Sequence, residues 1–194
     1  MWRARSRDEG SGEMQIQFAA YADDCIVRGE LALSADRLSD FLASTTEFMI
    51  ASPEFRALDD GRIVNAESSE IERADLCLIL ATGPRGRSDR RVWTRQHPVR
   101  VRAGPYVVVG YLHSPPTIDP FQTTGRRPIV ALTSCVVGYP EAGSTVWSEA
   151  EAVLVNTSKI DQLEAASEED IGFARSLETH AFVDPGAKDM TAGF

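Results

Sequence analysis

The feature that most constrains this chain is a segment that occurs twice. Tyr106-Val-Val-Val-Gly-Tyr-Leu-His113 follows the pattern of Cys25-Ile-Val-Arg-Gly-Glu-Leu-Ala32, about 81 residues earlier, with glycine and leucine at matching places. The earlier segment alternates apolar with mixed residues, and the later one is a nearly continuous apolar run; both patterns are typical of β-strands. The echo therefore predicts two β-rich units of similar construction.

Three further pairs of segments extend the echo in the same order. They are 40–44 with 119–123, 48–52 with 129–133, and 71–76 with 155–160. Sequence identity between the copies is low, so a chance likeness between two β meanders is an alternative interpretation. We favour an internal duplication because order, spacing and polarity agree together.

Each copy has four to five short strands and one helical turn after the first strand, which is the content of a small SH3- or Sm-like barrel. We therefore predict a mostly β fold: two small SH3/Sm-like antiparallel barrels from an internal repeat, with short helices and a C-terminal helix. Ser167 is the expected N-cap of that helix, with Asp170 three residues later. The predicted organisation is a flexible tail over 1–14, a first barrel over 15–82, an Arg-rich linker over 83–97, a second barrel over 98–165, and a short helix with a tail over 166–194.

A family resemblance rests on the first copy. Its Arg37-Leu-Ser-Asp-Phe-Leu42 segment after a strand, followed by Asp60-Gly-Arg62, resembles small uncharacterised bacterial (actinobacterial-like) domains that carry such a segment on an Sm-like barrel. The resemblance implies the fold and supplies no active-site residues. The second copy departs from the motif, with Asp119-Pro-Phe121 in its place.

Charge is distributed unevenly along the chain. The net charge is -9, which disfavours nucleic-acid binding by the whole surface. Arginine nevertheless concentrates at the junction between the copies, and a guanidinium binds phosphate or carboxylate through two hydrogen bonds. The candidate anion-binding residues are Arg85, Arg87, Arg90, Arg91, Arg95, Arg100 and Arg102. The alternative, which we favour, is a solvated linker whose charges meet the acidic C-terminal part of the chain.

Three aromatic residues are candidates for an interaction surface. They are Trp93, Tyr111 and Trp147, and exposed aromatic side chains often carry binding energy at interfaces. Packing in the core or between the copies is the alternative for most of them.

No catalytic motif is present in the sequence. There is no P-loop, no zinc-protease HExxH and no GxSxG nucleophile elbow, and the three cysteines have no metal-site spacing. We expect no catalytic residues, no metal and no cofactor, although a site around His113 and Asp119 is a further alternative. Without a signal peptide or an apolar run of membrane length, we expect a cytoplasmic protein.

The hypothesis that follows is a non-enzymatic interaction or regulatory module. Its partner would be another protein or a second copy of the chain. Nucleic-acid or nucleotide binding through the Arg-rich junction is the alternative function.

Overall fold

The computed structural model describes residues 13–84 and 93–177. Its strands are β1 (Met14–Ala22), β2 (Cys25–Leu33), β3 (Glu47–Ala57), β4 (Ile63–Asn65), β5 (Ser68–Glu72), β6 (Leu76–Leu80), β7 (Arg95–Ala103), β8 (Tyr106–Ser114), β9 (Ile129–Glu141), β10 (Ser144–Asn156) and β11 (Ile160–Ala165). The α-helices are α1 (Leu38–Ser44), α2 (Pro120–Thr123) and α3 (Glu168–Ser176).

The strands form a single antiparallel sheet with open edges. Its order is β11-β7-β8-β9-β10-β6-β1-β2-β3-β4, and β5 continues the β4 edge by pairing with the other end of β3. The prediction of a mostly β fold with short helices is confirmed. The sheet is open and runs on from one half of the chain to the other, so it does not display two closed barrels.

The two halves of the sheet have the same connectivity. In the first half the order is β6-β1-β2-β3 followed by β4 and β5; in the second it is β11-β7-β8-β9-β10. In each half a short helix follows the second strand, and a 3-10 turn, Arg73–Asp75 or Thr157–Lys159, precedes the last strand. In each half the last strand pairs with the first.

A matching irregularity occurs in both halves. The register between the second and third strands shifts at Gly29 in the first half and at Gly110 in the second. Opposite these glycines lie Ser52 and Ser134, which have positive φ angles of 48° and 50°. A Cβ on Gly29 would lie 2.8 Å from the Ala51 carbonyl oxygen, and a Cβ on Gly110 would lie 3.1 Å from the Thr133 carbonyl oxygen. The bulge brings two backbones so close that only glycine fits without displacement.

Each half is centred on one apolar core, and each core also includes residues of the other half. In the first half Phe18, Phe41 and Phe48 from β1, α1 and β3 pack edge to face, with ring centroids 5.6 and 5.7 Å apart. Ile71 of β5 and Leu76 of β6 join the same core although three strands, β1, β2 and β3, separate them in the sheet. The sheet must therefore curl around this cluster, because a flat sheet would hold its two edges far apart.

The core of the second half includes residues from the first. Tyr21 of β1 packs against Tyr106 and Tyr139, with ring centroids 5.3 and 5.5 Å away. The Tyr106 hydroxyl donates a hydrogen bond to the Ala22 carbonyl oxygen. This tyrosine cluster ties the halves together, in addition to the pairing of β6 with β10.

The C-terminal helix begins as the sequence predicts. Ser167 accepts a hydrogen bond from the Asp170 amide, and the Asp170 carboxylate accepts one from the Ser167 amide at 2.8 Å. This reciprocal capping box satisfies donors that the first helical turn would otherwise leave open.

The two bulge glycines should be intolerant of a methyl group. We expect Gly29→Ala and Gly110→Ala each to lower the free energy of unfolding by about 1–3 kcal/mol, the usual cost of overpacking. Gly172→Ala is the matched control, because a Cβ there meets nothing within 4 Å in α3, and it should stabilise by about 0.5–1 kcal/mol. Urea unfolding measures all three; a loss in the bulge variants no larger than in the control contradicts the prediction.

The buried tyrosines should make the fold sensitive to alkali. Burial raises the pKa of Tyr139 to about 12 and also raises the pKa of Tyr21 and Tyr106. The folded protein therefore holds these phenolic protons more tightly than the unfolded chain, where the pKa is about 10. This stabilisation is fully present below about pH 10 and is lost as the pH rises through the folded values.

Urea unfolding between pH 8 and pH 11 should show this decline, and Tyr139→Phe should decline less steeply because one titrating group is gone. Parallel declines in the two proteins would show that Tyr139 does not contribute.

Candidate functional site

The helix α3 covers an apolar patch on the outer face of the second half. Ile171 and Ala174 of α3 pack against Val109 of β8 and Val136 of β9. In the first half the matching positions, fixed by the bulge, are Arg28 and Glu54. Charged side chains can lie on a sheet face that no helix covers. Beneath a helix they would need partners, because burying an unpaired charge is costly.

Two rows of neighbouring side chains cross this face. The first row is Glu164, Arg100, Val109, Val136 and Glu149, one residue from each of β11, β7, β8, β9 and β10. The second row, next to it, is Gln162, Arg102, Val107, Gly138 and Trp147. We call the second one the open row.

The helix α3 lies over the first row and is held at both of its ends. Arg100 lies between Glu164 of β11 and Asp170 of α3, with nitrogen–oxygen distances of 3.7 and 3.8 Å. Arg175 pairs with Glu149 at 3.4 Å. These exposed pairs are each worth at most about 1 kcal/mol, so they orient α3 more than they stabilise it.

A groove remains over the open row. Its volume is about 440 Å³, within the range of ligand-binding clefts. The open row forms its floor, and the α3 side contributes Phe173 and Leu177. Phe173 is 63% exposed although it is large and apolar. The groove therefore offers apolar surface that the described part of the chain leaves uncovered.

Trp147 has a defined place in the groove because of its neighbour Gly138. The two residues face each other across β9 and β10. A Cβ on Gly138 would lie 2.6 Å from the indole ring, so the ring occupies the space that any other side chain would need. This glycine provides the platform on which Trp147 lies.

Arg102 supplies a positive charge to the groove. It is exposed, and within 13–84 and 93–177 no carboxylate forms an ion pair with it. Arg100, by contrast, already has two carboxylate neighbours. Arg102 is therefore the cation that an anionic group entering the groove would meet first.

The predicted site residues divide into three groups. Arg100, Arg102 and Trp147 line the groove, and Tyr111 packs beside it while its hydroxyl donates to Glu168. Trp93 and Arg95 are exposed at the opposite end of β7. Arg85, Arg87, Arg90 and Arg91 lie outside the described residues. Arg100 fits the interpretation in which arginines meet the acidic C-terminal part of the chain.

Val107, Gly138 and Phe173 also belong to the groove, and their residue types alone did not predict this. A signal was present: Val107 and Val109 share a face with Arg100 and Arg102 once the hairpin register is known. That register depends on the Gly104 turn, where φ is 56°.

The histidines form a structural network. The His113 nitrogens lie 3.2 Å from the Thr94 hydroxyl and 2.7 Å from the Thr133 hydroxyl. Burial, followed by the nearby His97, lowers the pKa of His113, so the ring stays neutral at pH 7. The Ser114 hydroxyl donates to the Ile118 carbonyl oxygen 2.9 Å away, and the His97 Nε2 atom lies 3.0 Å from the same hydroxyl.

The cysteines are free and protonated at neutral pH. Burial raises the pKa of Cys25 to about 11 and those of Cys77 and Cys135 to about 12. Thiolate, the reactive form, is therefore scarce. Among the described residues no group of three or more His, Cys, Asp or Glu side chains is placed to hold a metal ion.

Comparisons of the chain with protein families, with curated proteins and with solved structures each gave no match. Within the described residues, no helix has the length and apolar character needed to cross a membrane.

Proposed function

We propose that this protein is a non-enzymatic interaction module that binds a segment of a partner protein in the groove beside α3. The observation that carries the proposal is the open row. Trp147 and Val107 form its apolar part, and Arg102, which pairs with no carboxylate in the described part of the chain, supplies its charge. Aromatic and arginine side chains are the types that most often dominate binding energy.

The dimensions of the groove predict the spacing of the two side chains by which a partner peptide would bind. Neighbouring strands are about 4.8 Å apart, so Arg102 on β7 and Trp147 on β10 are separated by about 14 Å along the row. An extended peptide rises about 3.3 Å per residue. A matching segment therefore has a large apolar side chain and a carboxylate about four residues apart.

Selection from a random peptide library displayed on phage tests this proposal. We expect the full-length protein to enrich peptides with this spacing of apolar and acidic residues. A synthetic consensus peptide should bind at least tenfold more weakly to Arg102→Glu and to Phe173→Asp. The first change removes the contact with the peptide carboxylate, and the second removes apolar surface that the peptide side chain contacts. Isothermal titration calorimetry measures both affinities.

Two substitutions on the first half provide matched controls. Arg62→Glu reverses an exposed arginine, and Met49→Asp places a charge on a residue that is 53% exposed; neither should change the affinity. The proposal fails if no sequence is enriched, or if the groove and control variants bind the peptide equally.

Nucleotide or nucleic-acid binding at the Arg-rich junction is a second proposal. It is supported by Trp93, which is 75% exposed, two residues from the exposed Arg95. An aromatic ring beside a guanidinium is a surface on which a base can stack near a phosphate contact.

A salt series with a fluorescein-labelled single-stranded RNA tests the second proposal. It predicts that the logarithm of the affinity falls linearly with the logarithm of the salt concentration, by about 0.7 for each phosphate contacted. Arg95→Glu should make the slope shallower, while Arg62→Glu leaves it unchanged. An absence of binding at low salt removes this function.

We also propose that the two halves derive from one duplicated SH3- or Sm-like unit. Equal connectivity and the shared pairing of Gly29 with Ser52 and of Gly110 with Ser134 support it. The resemblance to small bacterial Sm-like domains is part of the same proposal. Three free cysteines are in keeping with a reducing, cytoplasmic location.

A further inference from the structure

The two halves differ most at the end of the core that the short helix covers. In the first half this end is filled by the rings of Phe18, Phe41 and Phe48. The helix α1 that contributes Phe41 has seven residues, and its Leu38 and Leu42 are also buried. The first half is therefore closed at this end by aromatic packing.

The counterparts of these rings in the second half are smaller. Phe18 faces Gly29 across its hairpin, and Val99 faces Gly110 in the same way. The bulges correct the alignment of 48–52 with 129–133 by one residue. Phe48, four residues before Ser52, therefore matches Val130, four residues before Ser134. Phe41 of the first copy corresponds to Pro120 of α2. Three phenylalanines are thus replaced by two valines and a proline.

A cavity lies beside the counterparts of two of these rings, Phe41 and Phe48. Its volume is about 270 Å³, and Pro120 and Val130 are in its wall with Leu112 and Ile118. The helix α2 has four residues, and Phe121, next to Pro120, is 40% exposed. The shorter helix and the smaller side chains leave this end of the second half open to a ligand.

Two arginines give the cavity its charge. Arg126 and Arg127 line it and are both exposed, and neither forms an ion pair with a carboxylate in the described part of the chain. The nearby Asp119 carboxylate accepts a hydrogen bond from the Phe121 amide at 3.0 Å. His113 also lies in the wall, and both of its ring nitrogens form hydrogen bonds with threonine hydroxyls. The positive charge at the rim therefore comes from the two arginines.

We propose that this cavity binds a small molecule with an apolar ring or short branched chain and one anionic head group. The apolar part takes the space that Phe48 and Phe41 occupy in the first half, and the anionic group lies against Arg126 and Arg127. This site is separate from the groove beside α3, since the two have no lining residue in common.

NMR titration of the ¹⁵N-labelled full-length protein with 3-phenylpropanoate tests the proposal. We expect saturable shifts of the Leu112, Ile118 and Val130 amides. The double variant Arg126→Ala/Arg127→Ala should bind the probe at least tenfold more weakly. The neutral 3-phenylpropanamide should bind wild type and the double variant alike, because it lacks the charge that the arginines recognise.

Val130→Phe is the decisive variant, because it rebuilds in the second half the ring that Phe48 provides in the first. It should abolish binding of 3-phenylpropanoate while keeping the melting temperature at or above that of wild type. Val64→Phe, the same change at a residue that is 52% exposed, should bind like wild type. If Val130→Phe does not fold, Val130→Ile makes the comparison, with a partial loss of affinity expected.

The proposal is overturned if wild type shows no saturable shifts. It is also overturned if Val130→Phe, or Val130→Ile where Val130→Phe does not fold, binds 3-phenylpropanoate as tightly as wild type. Equal affinity of wild type and the double arginine variant would overturn the assignment of the anionic end. Trp147→Ala should leave 3-phenylpropanoate binding intact, so failure here and failure of the peptide-binding groove are separate results.

Discussion

The pairing of β6 with β10 is the interaction on which the arrangement of the two halves depends. Residues 78–80 of β6 hydrogen-bond to 153–155 of β10, and the six side chains are apolar. Their burial at this seam supplies hydrophobic stabilisation of roughly 0.8 kcal/mol per buried methylene group. The tyrosine cluster and the Lys159–Asp23 ion pair, 2.7 Å long, lie along the same seam. The halves therefore share a core and cannot lose their contact without exposing it.

The equivalent positions at the outer edges of the sheet have the opposite chemistry. β11, the counterpart of β6, carries Asp161, Gln162 and Glu164, and β5, the counterpart of this part of β10, carries Glu70 and Glu72. If a second copy paired its β11 with β5, acids would face acids, which is destabilising. Charged residues on edge strands are a common means of preventing such pairing. Pairing of these two edges between copies of the chain is therefore disfavoured.

Much of the fold could be predicted from the sequence, because its signals are local. Alternation predicted strands, and the capping box at Ser167 predicted the last helix; the origin of the two halves as copies of one unit stays a proposal. The expectation of two closed barrels did not follow from such local signals. Whether a sheet closes depends on which strands its edge strands pair with, and local patterns do not specify those pairings. Leu78 of β6 pairs with Val155 of β10 across the seam between the halves, and no periodicity within β6 or β10 specifies that partner.

The candidate site was predictable only in part, for a related reason. Arg100, Arg102 and Trp147 were identified by residue type, but their convergence depends on cross-strand register. Arg100 and Arg102, two residues apart on one face, have different roles: Arg100 holds α3 through Asp170, and Arg102 faces the groove. The residue type could not predict that Arg100 and Arg102 have different roles. The difference arises because α3 packs over the row that contains Arg100 and leaves the row that contains Arg102 uncovered.

The differences between the halves are consistent in direction. In the first half three phenylalanines close one end of the core. The outer face of that half carries the charged residues Arg28 and Glu54. In the second half valines replace two of the rings, and Val109 and Val136 replace the charges beneath α3. The proposed groove and the proposed cavity are both lined by residues of the second half. The binding proposed for them would therefore depend on these differences between the halves.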